Sequence, residues 1–198
     1  MSTERVTGLV LAAGGSRRLG QPKQLLPYRG RMLLDHALDT ARACEFGQLI
    51  CAVGDDLPGV DFSGVEVVHN PHRGEGCSSS IAVALGAADA RTDVLVLLLG
   101  DQPGVRAQSV AALLSGRGGA RFAVCRYDDG RGHPFAFGRE AFSDLAAMHG
   151  DKAVWKLLER HADEVAEVPI AGPVPIDVDT WADYEALRGT AARRAVVQ

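Results

Sequence analysis

Short apolar runs alternate with segments of helical periodicity along most of the chain. Four runs rich in leucine and β-branched residues predict strands: TGLVLAA from Thr7, LICAV from Leu49, VEVVH from Val65 and VLVLLLG from Val94. None of them alternates cleanly between apolar and polar positions, which is typical of strands buried on both faces of a parallel sheet. Apolar residues at helical spacing predict helices over 34–41 and 81–88. This order predicts an α/β fold with a doubly wound, mostly parallel sheet flanked by helices.

The second half of the chain is less regular. The runs RFAVCRY from Arg121 and HPFAFG from His133 predict two strands around the turn-rich DDGRG, and therefore a small antiparallel excursion. An apolar stripe predicts a helix from about residue 152 to 161, for which Asp151 is a good N-cap and Lys152 a solvated residue of the first turn.

The last predicted helix begins near Thr180, because Thr180 and Asp183 have the spacing of a capping box. No internal repeat or low-complexity linker divides the chain. Residues 1–198 are therefore predicted to form one domain, with a frayed tail over 189–198.

Composition restricts the classes of function. Apolar residues make up 46% of the 198 residues and charged residues 23%, as in an ordinary globular protein. The formal net charge of -4 provides no basic field, which argues against nucleic acid or an anionic membrane as a partner. The longest apolar run is too short to span a bilayer, and the N-terminus lacks the basic start and long apolar core of a signal peptide.

Four cysteines are scattered along the chain without a C-x-x-C pair: Cys44, Cys51, Cys77 and Cys125. This spacing argues against a zinc cluster or a disulfide framework, and it predicts reduced thiols in a cytoplasmic protein. Cys77 has no histidine at a recognisable spacing, so it is interpreted as a small buried residue rather than a nucleophile.

The loop after the first predicted strand combines glycines with positive charge. Gly14 and Gly15 allow a sharp turn that offers backbone N–H groups to an anion, and Arg17, Arg18 and Lys23 follow them. No hydroxyl follows Lys23 to hold magnesium, so the loop is not a Walker A motif, and GGSRRLG does not fit the dinucleotide fingerprint. The pattern favours a phosphate-binding loop over its alternative, a glycine-rich surface turn with solvated arginines.

The whole stretch LVLAAGGSRRLGQPKQLLP resembles the signature of the nucleotidyltransferases with a glycosyltransferase-A-like fold, also called nucleotide-diphospho-sugar transferases. Within them it is most similar to the molybdenum cofactor cytidylyltransferase group, because LAAG and GDQP stand where the guanylyl relatives tend to have LAGG and a cysteine before the aspartate. The resemblance implies that Arg18 and Lys23 act in catalysis by neutralising a triphosphate. It implies nucleotide contacts along the loop at Leu11, Ala12, Ala13, Gly14 and Gly15.

Asp101 ends the most apolar predicted strand, in the segment LLLGDQP. A carboxylate at the carboxyl end of a buried strand faces the ligand crevice of a doubly wound sheet. Magnesium prefers one or two carboxylates together with phosphate oxygens, and the resemblance implies that Asp101 is a catalytic Mg²⁺ ligand. The alternative is that Asp101 begins a turn before Pro103.

The segment VPIDVDTWADY provides two more carboxylates, Asp177 and Asp179. On a strand they would share one face and could both reach one metal ion. Alternatively, Asp179 only helps to cap the helix that begins near Thr180. The family's D-x-D-T motif, said to complete the metal site, matches here, although the usual proline after it is missing. Which aspartate binds the metal stays open.

Two further segments complete the predicted site. In NPHRGEGCSSS, the resemblance implies base contacts by Gly76, Ser78 and Ser79, whereas serines in this position are also ordinary helix caps. In GRGHPF, it implies that His133 lines the acceptor side, whereas a lone histidine is more often structural.

Together these features predict transfer of CMP from CTP to the phosphate of a molybdopterin cofactor, with Mg²⁺ as the metal and pyrophosphate as the product. No general base is needed if the acceptor is already an anionic phosphate. A related enzyme using GTP or another nucleoside triphosphate, or a sugar or alcohol phosphate as acceptor, is the first alternative. A non-enzymatic nucleotide- or molybdopterin-binding chaperone is the second. A molybdoenzyme or its chaperone is the protein partner to expect.

Overall fold

The computed structural model describes residues 4–195, with side chains described as far as residue 189. The strands within these residues are β1 (Val6–Ala12), β2 (Pro27–Tyr28), β3 (Arg31–Met32), β4 (Gln48–Val53), β5 (Glu66–His69), β6 (Val94–Leu99), β7 (Phe122–Tyr127), β8 (Gly130–Gly138) and β9 (Val165–Pro169). The α-helices are α1 (Leu33–Arg42), α2 (Cys77–Ala87), α3 (Ala107–Gly116), α4 (Phe142–Ala146), α5 (Ala153–Arg160) and α6 (Trp181–Ala195). None of them is long and apolar enough to cross a membrane within the described residues.

Seven strands form the central sheet, in the order β5-β4-β1-β6-β8-β7-β9. All neighbouring pairs are parallel except those of β8, which runs antiparallel to both β6 and β7. Strands β2 and β3 form a separate two-stranded antiparallel sheet. The predicted fold class is confirmed, and the β7–β8 hairpin is the predicted antiparallel excursion.

The core lies on both faces of this sheet. Val10 of β1 faces the side covered by α1 and α3, whereas its neighbour Leu9 faces the side covered by α2, α4 and α5. Both side chains are fully buried. Successive strand residues therefore enter two different cores, which is why the strands lack polar alternation.

Two predictions about helix starts have different outcomes. The capping box of α6 is confirmed, because Asp183 Oδ2 accepts the Thr180 N–H at 2.7 Å and Thr180 Oγ1 accepts the Asp183 N–H at 3.2 Å. The prediction that Asp151 is the N-cap of α5 is wrong. The N-cap residue is Lys152, and its side chain does not cap the helix. Instead, the Cys77 thiol of α2 lies at the start of α5 and interacts with the backbone N–H groups of Ala153 and Val154.

The C-terminal tail lies partly outside the described residues. The backbone of α6 continues to Ala195, while residues 196–198 lie outside the described residues. The frayed tail over 189–198 therefore stays a prediction. The sequence patterns also did not predict β2, β3, β9, α3 or α4.

Candidate active site

A cavity of about 910 Å³ runs along the carboxyl edge of the sheet. Its wall begins at the loop after β1, continues past the end of β6 and reaches the first half of β8. Since β8 is antiparallel and pairs Phe135 with Leu97, His133 lies at the same edge as Leu99 at the end of β6. The one antiparallel strand thus brings its N-terminal residues to the edge where the parallel strands end.

The loop after β1 is held in shape by its own polar groups. Ser16 Oγ accepts the Lys23 N–H at 2.9 Å, and the buried Gln24 amide donates to the Ala12 carbonyl at 2.6 Å. The left-handed positions are Ser16, with φ of 47°, and Gly20, with φ of 70°, rather than Gly14 and Gly15. The sharp turn therefore lies after the glycine pair.

Gly14 and Gly15 keep the loop surface bare. Both are exposed and line the cavity. A Cβ at Gly14 would lie 3.6 Å from the Lys23 side chain, and a Cβ at Gly15 would meet nothing within 4 Å. Their contribution is open backbone that a ligand can approach, which is what a phosphate loop requires.

Lys23 joins two carboxylates across the cavity. Its ammonium group forms ion pairs with Asp101 and, at 2.7 Å, with Asp179 Oδ1. Burial by itself would lower the pKa of Lys23, but the two carboxylates outweigh it and hold that pKa above its ordinary value. Lys23 is therefore permanently charged, and in this structure the protein's own carboxylates bind its ammonium group.

Negative charge exceeds positive charge around Lys23. Burial raises the pKa of Asp101, and the ion pair with Lys23 offsets this only in part. The pKa of Asp177 is raised to about 6, first by partial burial of its carboxyl and then by repulsion from Asp101 and Asp179. Three acidic groups thus share one lysine, an arrangement that a further cation would relieve.

This donor set fits a divalent metal that is shared with a ligand. Asp101 and Asp179 converge on one point, occupied by the Lys23 ammonium. Among residues 4–195 as described, no group of three or more His, Cys, Asp or Glu side chains is arranged to hold a metal by itself. Magnesium usually takes one or two carboxylates and completes its shell with water and phosphate oxygens, so two convergent carboxylates suffice.

The segment that carries Asp177 and Asp179 packs against the loop after β1. Val178, which stands between Asp177 and Asp179 in the sequence, is fully buried. It packs in a cluster with Leu19, Leu26 and Tyr184. The Tyr184 hydroxyl donates to the carbonyl of Pro27, the first residue of β2. The position of Asp179 therefore depends on how α6 docks, which no local pattern in the sequence reveals.

The start of α2 forms another part of the cavity wall. Gly76 has φ of 97°, and a Cβ there would lie 2.5 Å from the backbone nitrogen of Asp151, so only glycine fits. Ser78 Oγ accepts the Gly150 N–H at 2.9 Å, and Ser79 Oγ donates to the Gly76 carbonyl at 2.8 Å. These two predicted base-binding serines thus carry bonds within the protein.

The third serine of the run was missed by the sequence analysis. Ser80 lines the cavity together with Gly76, whereas Ser78 and Ser79 do not. The buried Ser80 hydroxyl accepts the Asn70 side-chain amide at 2.9 Å. The nucleotide contacts of Ser78 and Ser79 stay predictions. Ser80 lies four residues after Gly76, and this helical spacing is the sequence signal that would have added it to the predicted site.

Cys77 is a protonated thiol rather than a nucleophile. Burial and then the nearby Asp151 raise its pKa, although the backbone N–H groups of Ala153 and Val154 act in the opposite direction. Its Sγ donates to the Asp151 carbonyl at 2.8 Å. The side chain is only half-buried, against the prediction of a buried residue, because it lies on the cavity wall.

An aromatic wall closes the far end of the cavity. The His133 ring stacks on Phe135 with centroids 4.0 Å apart, and the edge of Trp155 meets Phe135 at 5.0 Å. Burial lowers the pKa of His133 to about 3, so the imidazole is neutral at physiological pH. A permanently neutral imidazole does not serve as a general acid or base at neutral pH, but it offers one donor and one acceptor.

Acidification is expected to destabilise the protein through His133. The unfolded chain protonates this residue near pH 6.5, whereas the folded protein keeps it neutral down to about pH 3. The unfolded state thus binds more protons in this window, and stability falls as the pH falls. Between pH 7 and pH 5 the loss is about 2 kcal/mol, at about 1.36 kcal/mol for each pKa unit.

Urea unfolding at pH 7 and pH 5 measures this loss in the wild type and in His133→Phe, which keeps a stacked ring. The variant should lose about 2 kcal/mol less than the wild type on acidification. Equal losses in the two proteins would contradict a neutral His133.

A smaller pocket of about 290 Å³ adjoins the cavity behind the phosphate loop. Its wall includes Ala13 and Gln24 on one side and Gly54 and Asp55, after β4, on the other. Asp55 forms an ion pair with Arg73, a cavity-lining residue that the sequence analysis did not single out.

Residues 8–165 match the MobA-like NTP transferase domain family. Among solved structures, Rv0371c from Mycobacterium tuberculosis is 44% identical and superposes with a TM-score of 0.87 over 95% of this chain and 100% of that one. Another structure of Rv0371c, 42% identical with a TM-score of 0.78 over 94% and 99% of the two chains, is a complex with manganese.

Two curated relatives have different names. A molybdenum cofactor guanylyltransferase of Xanthomonas euvesicatoria pv. vesicatoria is 39% identical over 111 residues, which are 55% of this chain and 53% of that protein. A nicotine blue oxidoreductase of Paenarthrobacter nicotinovorans is 33% identical over 141 residues, 65% of this chain and 69% of that protein.

Proposed function

The chain belongs to the MobA-like NTP transferase domain family, and we propose that it transfers CMP from CTP to the phosphate of a molybdopterin cofactor. The observation that carries this proposal is the Lys23 ammonium, which lies between Asp101 and Asp179 beside a bare glycine loop. Nucleotidyl transfer needs a cationic grip on the leaving pyrophosphate and carboxylates for a metal, and both meet at this point.

In the proposed reaction, an oxygen of the acceptor phosphate attacks the α-phosphorus of the triphosphate. The bond from that phosphorus to the oxygen that bridges to the β-phosphate breaks, and pyrophosphate leaves with the electron pair. Arg18 and Lys23 neutralise the charge that grows on the leaving group. Because the acceptor is already an anion, no side chain has to remove a proton, which agrees with a neutral His133.

Asp101 and Asp179 are the residues that would hold Mg²⁺. When bound, the metal supplies Lewis-acid stabilisation of the phosphate oxygens. Asp179 is favoured over Asp177 because its carboxylate, like that of Asp101, reaches the Lys23 ammonium. Lys23 must leave these carboxylates to reach the triphosphate, so it exchanges anionic partners when the metal and the nucleotide bind.

The choice of CTP rests on the space available for the base, which we place in the smaller pocket beside Ala13. Ala13 is buried and stands where the resembled guanylyl enzymes tend to have a glycine. Its methyl group takes up room beside the 290 Å³ pocket and favours a single-ring base over a purine. The guanylyltransferase name of one relative makes GTP the main competitor.

Pyrophosphate release with CTP, GTP, ATP and UTP, each with Mg²⁺ and molybdopterin cofactor, tests the proposal. We expect the highest kcat/KM with CTP. A preference for GTP would overturn the base assignment but keep the transferase. Release that requires a sugar or alcohol phosphate in place of molybdopterin would overturn the acceptor, and no release with any nucleotide would leave the chaperone.

A cytoplasmic location and delivery of the product to a molybdoenzyme or its chaperone complete the proposal. Reduced thiols support this location, since the four cysteines are free. The nicotine blue oxidoreductase relative adds one control, an assay for oxidation or reduction of nicotine blue, for which we expect no activity.

A further inference from the structure

The cations on the cavity wall divide into two groups. Those near the nucleotide end are Arg17, Arg18, Lys23 and Arg73. Lys152 is the fifth cation, and it lies at the start of α5 beside the aromatic wall. Its side chain is exposed, and its ammonium group has no hydrogen-bond or ion-pair partner among the described residues.

The His133 ring, on the wall of the same cavity, also has no hydrogen-bond partner among the described residues. The residue is 9% exposed. The ring is held by stacking on Phe135 and by the edge of Trp155, at centroid distances of 4.0 Å and 6.4 Å. The ring nitrogens are not among the buried atoms of the described residues that lack a partner, so the imidazole can donate to or accept from a ligand in the cavity.

Resting on the function proposed above, we propose that Lys152 binds the anionic phosphate of the acceptor, while His133 and Trp155 hold its planar ring. The phosphate and the ring of such an acceptor need a cation and an aromatic surface within one pocket, and α5 supplies both from a single turn. The cation also reduces the repulsion between the acceptor phosphate and the nucleotide's α-phosphate, which the reaction must bring together.

The fold explains why this subsite faces the nucleotide. Gly76 lets the chain at Asp151 approach α2 closely, and the Cys77 thiol donates to the Asp151 carbonyl at 2.8 Å. These contacts fix the start of α5 at the cavity edge. Lys152 is therefore a specificity residue for the acceptor rather than part of the triphosphate grip.

Fluorescence of Trp155 tests the subsite without requiring turnover. The chain has two tryptophans, so Trp181→Phe leaves Trp155 as the single reporter. In this background, molybdopterin cofactor should quench Trp155, and Lys152→Ala should weaken binding roughly 10-fold or more, as expected for loss of a charged hydrogen bond. Lys152→Arg should keep most of the affinity. Lys156→Ala, an exposed lysine one turn later on α5, is the matched control and should bind like the background protein.

Three outcomes would overturn the inference: no binding by the background protein, binding by Lys152→Ala within twofold of it, or an equal loss in Lys156→Ala. In steady state, Lys152→Ala should raise the KM for the acceptor roughly 10-fold while the KM for the nucleotide stays unchanged. If the acceptor binds as described but no nucleotide releases pyrophosphate, the proposed function fails and the subsite stands.

Discussion

Replacing Asp101 with asparagine is expected to lower kcat/KM about 1,000-fold while the protein stays folded. The substitution removes the buried carboxylate that pairs with Lys23 at the end of β6 and would hold the metal. Loss of several kcal/mol of metal-assisted charge stabilisation in the transition state corresponds to a factor of this size. Steady-state pyrophosphate release measures it.

The fold should tolerate this change because asparagine has the same shape and Lys23 keeps its ion pair with Asp179. Burial also raises the pKa of Asp101, so the charge is unfavourable where it stands. Asp35→Asn is the matched control: Asp35 is equally buried, and it accepts the Met32 N–H at 3.2 Å, away from the cavity. It should lower stability more than activity. Near-full activity in Asp101→Asn would contradict the assigned role.

Replacing Lys23 with methionine is expected to have two opposite effects. Turnover should fall about 1,000-fold, because the charge on the leaving pyrophosphate loses its principal cation. Affinity for Mn²⁺ in the absence of nucleotide should rise at least about tenfold, because Asp101 and Asp179 lose the ammonium that neutralises them. A merely structural lysine would not produce the second effect.

Electron paramagnetic resonance titration with Mn²⁺ measures the affinity, and thermal unfolding with and without metal checks the fold. The metal-free variant should unfold at a lower temperature, since Asp101 is left buried without its lysine, and Mn²⁺ should restore part of the loss. Lys156→Met, an exposed lysine outside the cavity, should change neither property. Unchanged or weaker metal binding in Lys23→Met would rule out the exchange of partners.

Local sequence signals predicted the parts of the site that depend on strand ends. The apolar runs before Gly14 and Asp101 are buried strands, and adjacent parallel strands bring their carboxyl ends together. The resemblance assigned Lys23 and Asp101 to one site, but the ion pair between them was not predicted. The role of the glycine pair differed in detail, because Ser16 and Gly20 carry the left-handed turn.

Tertiary contacts determined the rest, and no pattern in the sequence encodes them. The position of Asp179 depends on the docking of α6. The start of α5 has no side-chain cap from its N-cap residue, and the Cys77 thiol, distant in sequence, donates to the Asp151 carbonyl beside it. Strands β2 and β3 have two residues each, too short for any periodicity. Lys152 was interpreted from the sequence as a solvated residue of the first helical turn, and only the fold shows that it lines the cavity.

Transfer of CMP to molybdopterin is tested by following the two ends of the triphosphate separately. CTP labelled at the α-phosphate and CTP labelled at the γ-phosphate are incubated with the protein, Mg²⁺ and molybdopterin cofactor. We expect the α-label to appear on the molybdopterin product and the γ-label in pyrophosphate, in equal amounts. Release of the γ-label as inorganic phosphate, or no transfer of the α-label from CTP, would contradict CMP transfer.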